Sequence, residues 1–251
     1  MIKSQRLQPY LVWIGLILYV IICKIVLSFL PPVNVKVVAS EFLWSTIAAY
    51  LIIGLTGIIF YNTANFVLPL GPEISNTTRF LNPFLVGTGL ATLAILIDFF
   101  SKGTTFIEKV SGEKSFNVYF PASLLVYTGG ILLVDAVFKI LPLSLFTFLV
   151  ILFTRKKEPA KPQYLGIAIL VSLFEPLTQG LGIISLQKDS PMGYLLLTQF
   201  LPYFITNFPL NLAQCLFFRK YGFISSMVTR AGFYLIWHVV YGNFIYPIYH
   251  S

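Results

Sequence analysis

Long apolar runs alternate with short polar breaks along the whole chain. Eight runs can be drawn, at 9–30, 42–61, 80–100, 117–136, 138–154, 164–187, 193–217 and 221–247. The breaks carry proline, glycine or charge: PPVNVK at 31–36, LPLGPEISNTTR at 68–79, SKGTTFIEKVSGEKS at 101–115, RKKEPAKPQ at 155–163, QKDSPMG at 187–193 and RKYG at 219–222. The boundary between the fourth and fifth runs is the faintest, a very tight turn bracketed by Asp135 and Lys139. If it were instead a kink in one long element, the count would fall to seven. Runs of this length cross a ~30 Å hydrocarbon layer as helix, and they lack the short alternation of a membrane barrel. The pattern predicts an all-α polytopic integral membrane protein of about eight transmembrane helices.

Composition agrees: 57% of the 251 residues are hydrophobic, 10% are charged, and mean hydropathy is +0.84. A charged shell around an apolar core cannot be built from that mixture. In a soluble protein the net charge of +8 would suggest nucleic acid. Here the lysines and arginines sit in short loops, where they act as topology signals and contacts to anionic lipid. The lipid bilayer is therefore an expected partner and nucleic acid is not. Cys23 and Cys215 fall inside apolar runs and read as packing residues. The first run lacks a small-residue cleavage site and reads as a retained helix. No loop is long enough to bury its own core, so residues 1–251 form one membrane domain, with the basic loop at 155–163 dividing an N-terminal half (1–154) from a C-terminal half (164–247).

With eight spans the charge signals for orientation conflict. The odd-numbered loops, RKK at 155–157 among them, hold ten lysines and arginines, yet Lys3 and Arg6 pull the N-terminus to that same side. The larger count places both termini outside, which would expose the sequon Asn76-Thr77-Thr78 there.

Ionisable groups at bilayer depth cost ~2.5–3.5 kcal/mol each on insertion scales, so their positions are informative. Glu175 lies mid-span, with Thr178 and Gln179 one turn on and on the same face. Asn207, Asn211 and Gln214 share a face of the seventh run, and Arg230, Tyr234, His238 and Tyr241 form a broad stripe on the eighth. Lipid offers no hydrogen bonds, so these three stripes should face one another around a polar pocket. Glu175 and Arg230 form the expected ion pair, with His238 about 12 Å further along its helix. Each feature also has a structural reading. The amides can be interhelical glue, the ion pair a lock, and His238 an interfacial residue among Trp237 and Tyr241, while Lys24 and Lys139 lie near enough to span ends to snorkel.

Several chemistries are absent by inventory. His238 and His250 are the two histidines, too few for a zinc site without H-E-x-x-H, and no metal or cofactor is expected. There is no G-x-S-x-G elbow, P-loop or dinucleotide fingerprint. Asp98 and Asp135 sit at span ends, not as an aspartyl dyad.

LFEPLTQGL at 173–181, followed by LFFRKYGFISSMVTRAGFYLIWHVVYGNF, resembles a degenerate form of the CAAX-processing and bacteriocin-processing (CPBP or Abi) membrane endopeptidases, over residues 164–244. That family has about eight membrane helices, an E-E-x-x-x-R motif and two later histidines. Aligned on Gly180, Phe174 stands where the first glutamate belongs, Glu175 on the second, Gln179 on the arginine and Arg230 on the last histidine. His238 is offset by two turns from the expected site. The resemblance implies an intramembrane endopeptidase acting on a membrane-associated peptide or prenylated tail. Glu175 would serve as base, His238 as oxyanion donor, and Gln179, Asn207, Asn211, Gln214, Arg230 and Tyr234 as positioning groups. Two alternatives stand beside it: a non-catalytic descendant that binds such a peptide or a lipid, and a small transporter whose buried pair carries protons or an anion, with Pro176 and Pro209 as helix breaks. The expected location is integral to a prokaryotic plasma membrane.

Overall fold

A computed structural model describes residues 2–34, 42–111, 115, 117–185 and 199–250, and every regular element among them is helical. Helix α1 (Ile2–Leu27) is apolar on two faces. Trp13, Ile17, Val20 and Cys23 are buried, whereas Leu7, Leu11, Ile14, Leu18, Ile22 and Ile25, at three- and four-residue steps, are each at least 45% exposed. A soluble helix turns one apolar stripe inward and a polar one outward. An outward stripe made of leucine and isoleucine is suited to hydrocarbon.

Among the described residues six helices are long and apolar enough to cross a membrane: Arg6–Leu27, Trp44–Thr63, Thr77–Ser101, Ala122–Thr154, Lys161–Gly182 and Phe223–Tyr249. They contain α1, α2 (Trp44–Thr63), α3 (Asn82–Ser101), α5 (Ala122–Asp135) continued by α6 (Leu141–Thr154), α7 (Lys161–Ser185), and α9 (Phe223–Tyr234) continued to α10 (Tyr246–His250). A short helix, α4 (Gly103–Ser111), follows α3.

The expected eight spans are corrected at two places. The fourth and fifth runs are one helix of 33 residues. The seventh run contributes α8 (Leu201–Tyr221), an unbroken helix whose apolar character is diluted by Thr206, Asn207, Asn211 and Gln214 and which is not among the six; residues 186–198 lie outside the described residues.

The tight turn expected at Asp135–Lys139 is instead a π-helical segment, Ala136–Ile140, that joins α5 to α6 without a break. Pro142 explains it. Proline offers no N–H to the carbonyl four residues earlier and its ring crowds that carbonyl; widening the preceding turn to i→i+5 relieves the crowding. The same arrangement recurs. The π segments Thr77–Leu81 and Leu235–Ile245 end two residues before Pro83 and Pro247, and the π turn at 199–200 ends two before Pro202. Pro176 and Pro209, expected as helix breaks, lie inside continuous α7 and α8.

Close helix approaches fix the bundle. A Cβ at Gly87 of α3 would overlap the Thr229 carbonyl oxygen of α9, and one at Gly232 of α9 would overlap the Phe84 carbonyl of α3. The two backbones therefore touch through reciprocal glycines, as small residues permit in membrane helix pairs. Gly57 of α2 meets the π segment at Ile140 and Leu141, and Gly54 receives the Trp13 ring. An aromatic cluster of Tyr61, Phe66, Phe218 and Phe223 ties α2 to α8 and α9.

The charges are distributed unevenly between the two ends. Asn62 donates to the Arg6 carbonyl at 3.1 Å, Arg219 to the Pro159 carbonyl at 3.2 Å and Ser225 to the Arg79 carbonyl at 2.9 Å, and with the Tyr61 cluster these gather the starts of α1, α3, α7 and α9 with the ends of α2, α6 and α8. Among described residues this end holds Arg6, Arg79, Arg155, Lys156, Lys157, Lys161, Arg219 and Lys220 against Glu73 and Glu158. Because 122–154 is continuous, the parity of the later loops changes, and the N-terminus joins RKK at one end. Both charge signals therefore fall at the same end of the bundle. The start of α1 lies at this basic end and α9 runs away from it, so the two termini do not share a side as the eight-run reading expects, and Asn76 falls at the basic end as well.

Candidate functional site

Arg230, 1% exposed on α9, spends all five of its N–H groups on the protein. Nε donates to Asp135 Oδ1 at 2.8 Å. Nη1 donates to Glu175 Oε1 at 2.6 Å and Tyr234 Oη at 3.2 Å. Nη2 donates to Glu175 Oε2 at 2.5 Å and Gln214 Oε1 at 3.0 Å. The guanidinium fork thus holds the Glu175 carboxylate from both sides, the strong bidentate geometry of such pairs. Gln214 closes the ring, its amide donating to both oxygens of Asp135 at 3.2 and 3.0 Å and to the Ser226 carbonyl at 3.1 Å.

Lys139 is the second cation, fully buried and not snorkelling as expected. Its ammonium donates to Asn211 Oδ1 and, at 3.2 Å, to the Phe138 carbonyl, the group that Pro142 cannot satisfy. It also lies 3.6 Å from Glu175 Oε2. Two cations and two carboxylates therefore form a neutral, desolvated circuit. Ions removed from water are tolerable on that condition, since the Born penalty of each is offset only by close, hydrogen-bonded counter-charge.

The circuit is not confined to the last three spans. Asp135 and Lys139, one helical step of four apart on α5 and its π extension, come from the N-terminal half. Their spacing was the available signal: DAVFK at 135–139 puts both charges on one helix face once 122–154 is read without a break. Thr178 leaves the expected group, bonding back to the Phe174 carbonyl at 2.8 Å.

Beside the circuit lies a cavity of about 150 Å³ between α3, α7, α8 and α9. Phe233, Tyr234, Trp237 and Tyr203 form aromatic walls, with Gln179, Asn207, Glu175, His238 and Asp98 among the polar lining. Gln179 is exposed at its lip and accepts a hydrogen bond from Tyr203. Asn207 donates to the Tyr203 carbonyl at 3.0 Å, and Asn211 to the Asn207 carbonyl at 2.8 Å, so the amide stripe runs from the cavity to Lys139.

His238 is half-buried and reaches the same cavity. Its Nδ1 lies 2.8 Å from Asn117 Oδ1 and its ring stacks on Tyr127 at 4.1 Å. Tyr234 connects it to the circuit, meeting His238 edge-on at 4.9 Å while its hydroxyl accepts from Arg230. Asp98, expected merely at a span end, caps the start of α4 through the Thr104 N–H at 2.8 Å and accepts from the Tyr241 hydroxyl at 2.8 Å. Among the described residues no group of three or more His, Cys, Asp or Glu side chains is placed to hold a metal ion.

No family model, no curated protein and no solved structure matches the chain.

Proposed function

We propose that the protein is a non-catalytic membrane receptor for a membrane-associated amphiphile, a prenylated or acylated peptide, and that the charge circuit is the structural lock forming one wall of its binding cavity. The observation that carries this reading is the engagement of Glu175: both carboxylate oxygens are held by Arg230, with Lys139 beside one of them. A carboxylate clamped by cations is a poor general base, because the cations favour its ionised form over proton uptake. The cavity is suited to holding rather than cutting. A hole of about 150 Å³ lined by aromatic and apolar groups takes a ring or a few carbons, so it fits one apolar side chain or the end of a hydrocarbon tail, while Gln179 and Asn207 meet the polar part.

A second reading, the CPBP-like endopeptidase, is favoured by one observation: Glu175 and His238 line the same cavity. One experiment separates the two. The full chain in proteoliposomes is titrated with a fluorescent prenylated peptide, and the peptide is then recovered for mass analysis. Receptor function predicts saturable binding, weakened about tenfold by Asn207→Leu or Trp237→Ala, with the peptide returned intact. Absence of binding defeats the receptor proposal. Cleavage that disappears in a folded Glu175→Gln variant would establish the peptidase in its place.

A further inference from the structure

A second cavity, of about 450 Å³, opens at the basic end between the ends of α2, α6 and α8 and the start of α7. It plays no part in the charge circuit. Two cations stand on it. Arg219 is oriented by its neighbours, its guanidinium lying over the Tyr164 ring at 4.6 Å while Nη2 donates to the Pro159 carbonyl. Tyr164 is itself fixed by donating to the Cys215 carbonyl at 2.7 Å. Lys157 is exposed on the rim. Glu158 shares the rim, and no ion pair within 4.0 Å joins it to either cation among the described residues.

Thr147 of α6 also lines this cavity, and its hydroxyl is buried without a hydrogen-bond partner. Thr147 lies seven residues before the end of α6, about 10 Å below the rim at 1.5 Å per residue. A cationic mouth, an apolar aromatic side and an unpaired hydroxyl beneath it match a headgroup phosphate with its glycerol ester below.

We propose that this basin binds the phosphate of an anionic phospholipid from the leaflet at the basic end. Arg219 presents a planar fork suited to two phosphate oxygens, Lys157 adds a flexible point charge, and Thr147 donates to an ester oxygen. The start of α7 brings its positive dipole end to the same mouth. Basic pockets between helices on the cytoplasmic side are general sites for anionic headgroups. The proposal is independent of what the first cavity holds.

The test uses the full chain in detergent, with thermal unfolding and native mass spectrometry read against added short-chain phosphatidylglycerol, phosphatidylcholine or inorganic phosphate. Phosphatidylglycerol should raise Tm and remain bound through gentle activation, and phosphatidylcholine should do neither. Lys157→Gln with Arg219→Gln should weaken phosphatidylglycerol at least tenfold, and Thr147→Val severalfold, while Lys156→Gln with Lys220→Gln, at the same end but outside the basin, should leave it within twofold. Equal loss in both double variants would mean diffuse surface attraction and overturn the site. Saturable competition by inorganic phosphate at comparable concentration would assign the site to a soluble phosphate instead of a lipid. A pocket variant that does not fold is replaced by Arg219→Lys, which keeps the charge, loses the fork and should still weaken binding.

Discussion

At the scale of single residues, the protein treats its membrane-depth charges as a matched set. Arg230 has no donor left over and Lys139 is carried to a carbonyl freed by proline. Removing one member of a buried pair strands the others, at a cost of about 3–5 kcal/mol. Lys139→Met is therefore expected to lower unfolding stability by about that amount, whereas Lys220→Met, at an exposed position, should change it by under about 0.5 kcal/mol. Equal small effects in denaturant titrations of the two variants would return Lys139 to a snorkelling role. Much of this set was legible in the sequence: Glu175, Arg230, Asn211 and Gln214 announce themselves by polarity inside apolar runs. Asp135 and Lys139 are equally polar, but a presumed span boundary between them made both look ordinary. The misreading lay in one turn, not in the chemistry of the residues.

At the scale of elements, proline and glycine set the geometry that brings the charges together. A π turn inserts one extra residue into a helix, rotating everything beyond it by about 100° relative to an uninterrupted helix. The π segment at Ala136–Ile140 therefore helps decide which way Asp135 faces relative to α6. Apolar periodicity cannot reveal such a turn, because it changes register without changing composition; the proline two residues later is its visible mark. The glycines act by contact. Gly87 meets the Thr229 backbone, whereas a Cβ at Gly89 on the same helix meets nothing within 4 Å. Gly87→Ala should force α3 and α9 apart and destabilise by about 1–3 kcal/mol, while Gly89→Ala should be neutral or stabilising by up to about 1 kcal/mol. Thermal unfolding of both variants in one detergent decides it, and parallel behaviour would remove the close approach from the account.

At the scale of the whole molecule, the polar stripes are turned inward and the apolar stripes outward, as the run pattern requires of helices in hydrocarbon. The division into two halves at 155–163 does not describe the interior, since α5 supplies one acid and its π extension one base to a circuit completed by α7, α8 and α9. The halves are held together by charge as well as by packing. The most direct measurement of this claim is a double-mutant cycle on Asp135→Asn and Arg230→Gln, the pair that joins the two halves at 2.8 Å, read as unfolding free energy of the full chain in detergent. Each single change leaves the circuit with an uncompensated charge; the double change leaves Glu175 with Lys139 and restores neutrality. The account predicts that the double variant loses less than the two singles combined, by at least about 1 kcal/mol. Additive losses would contradict it.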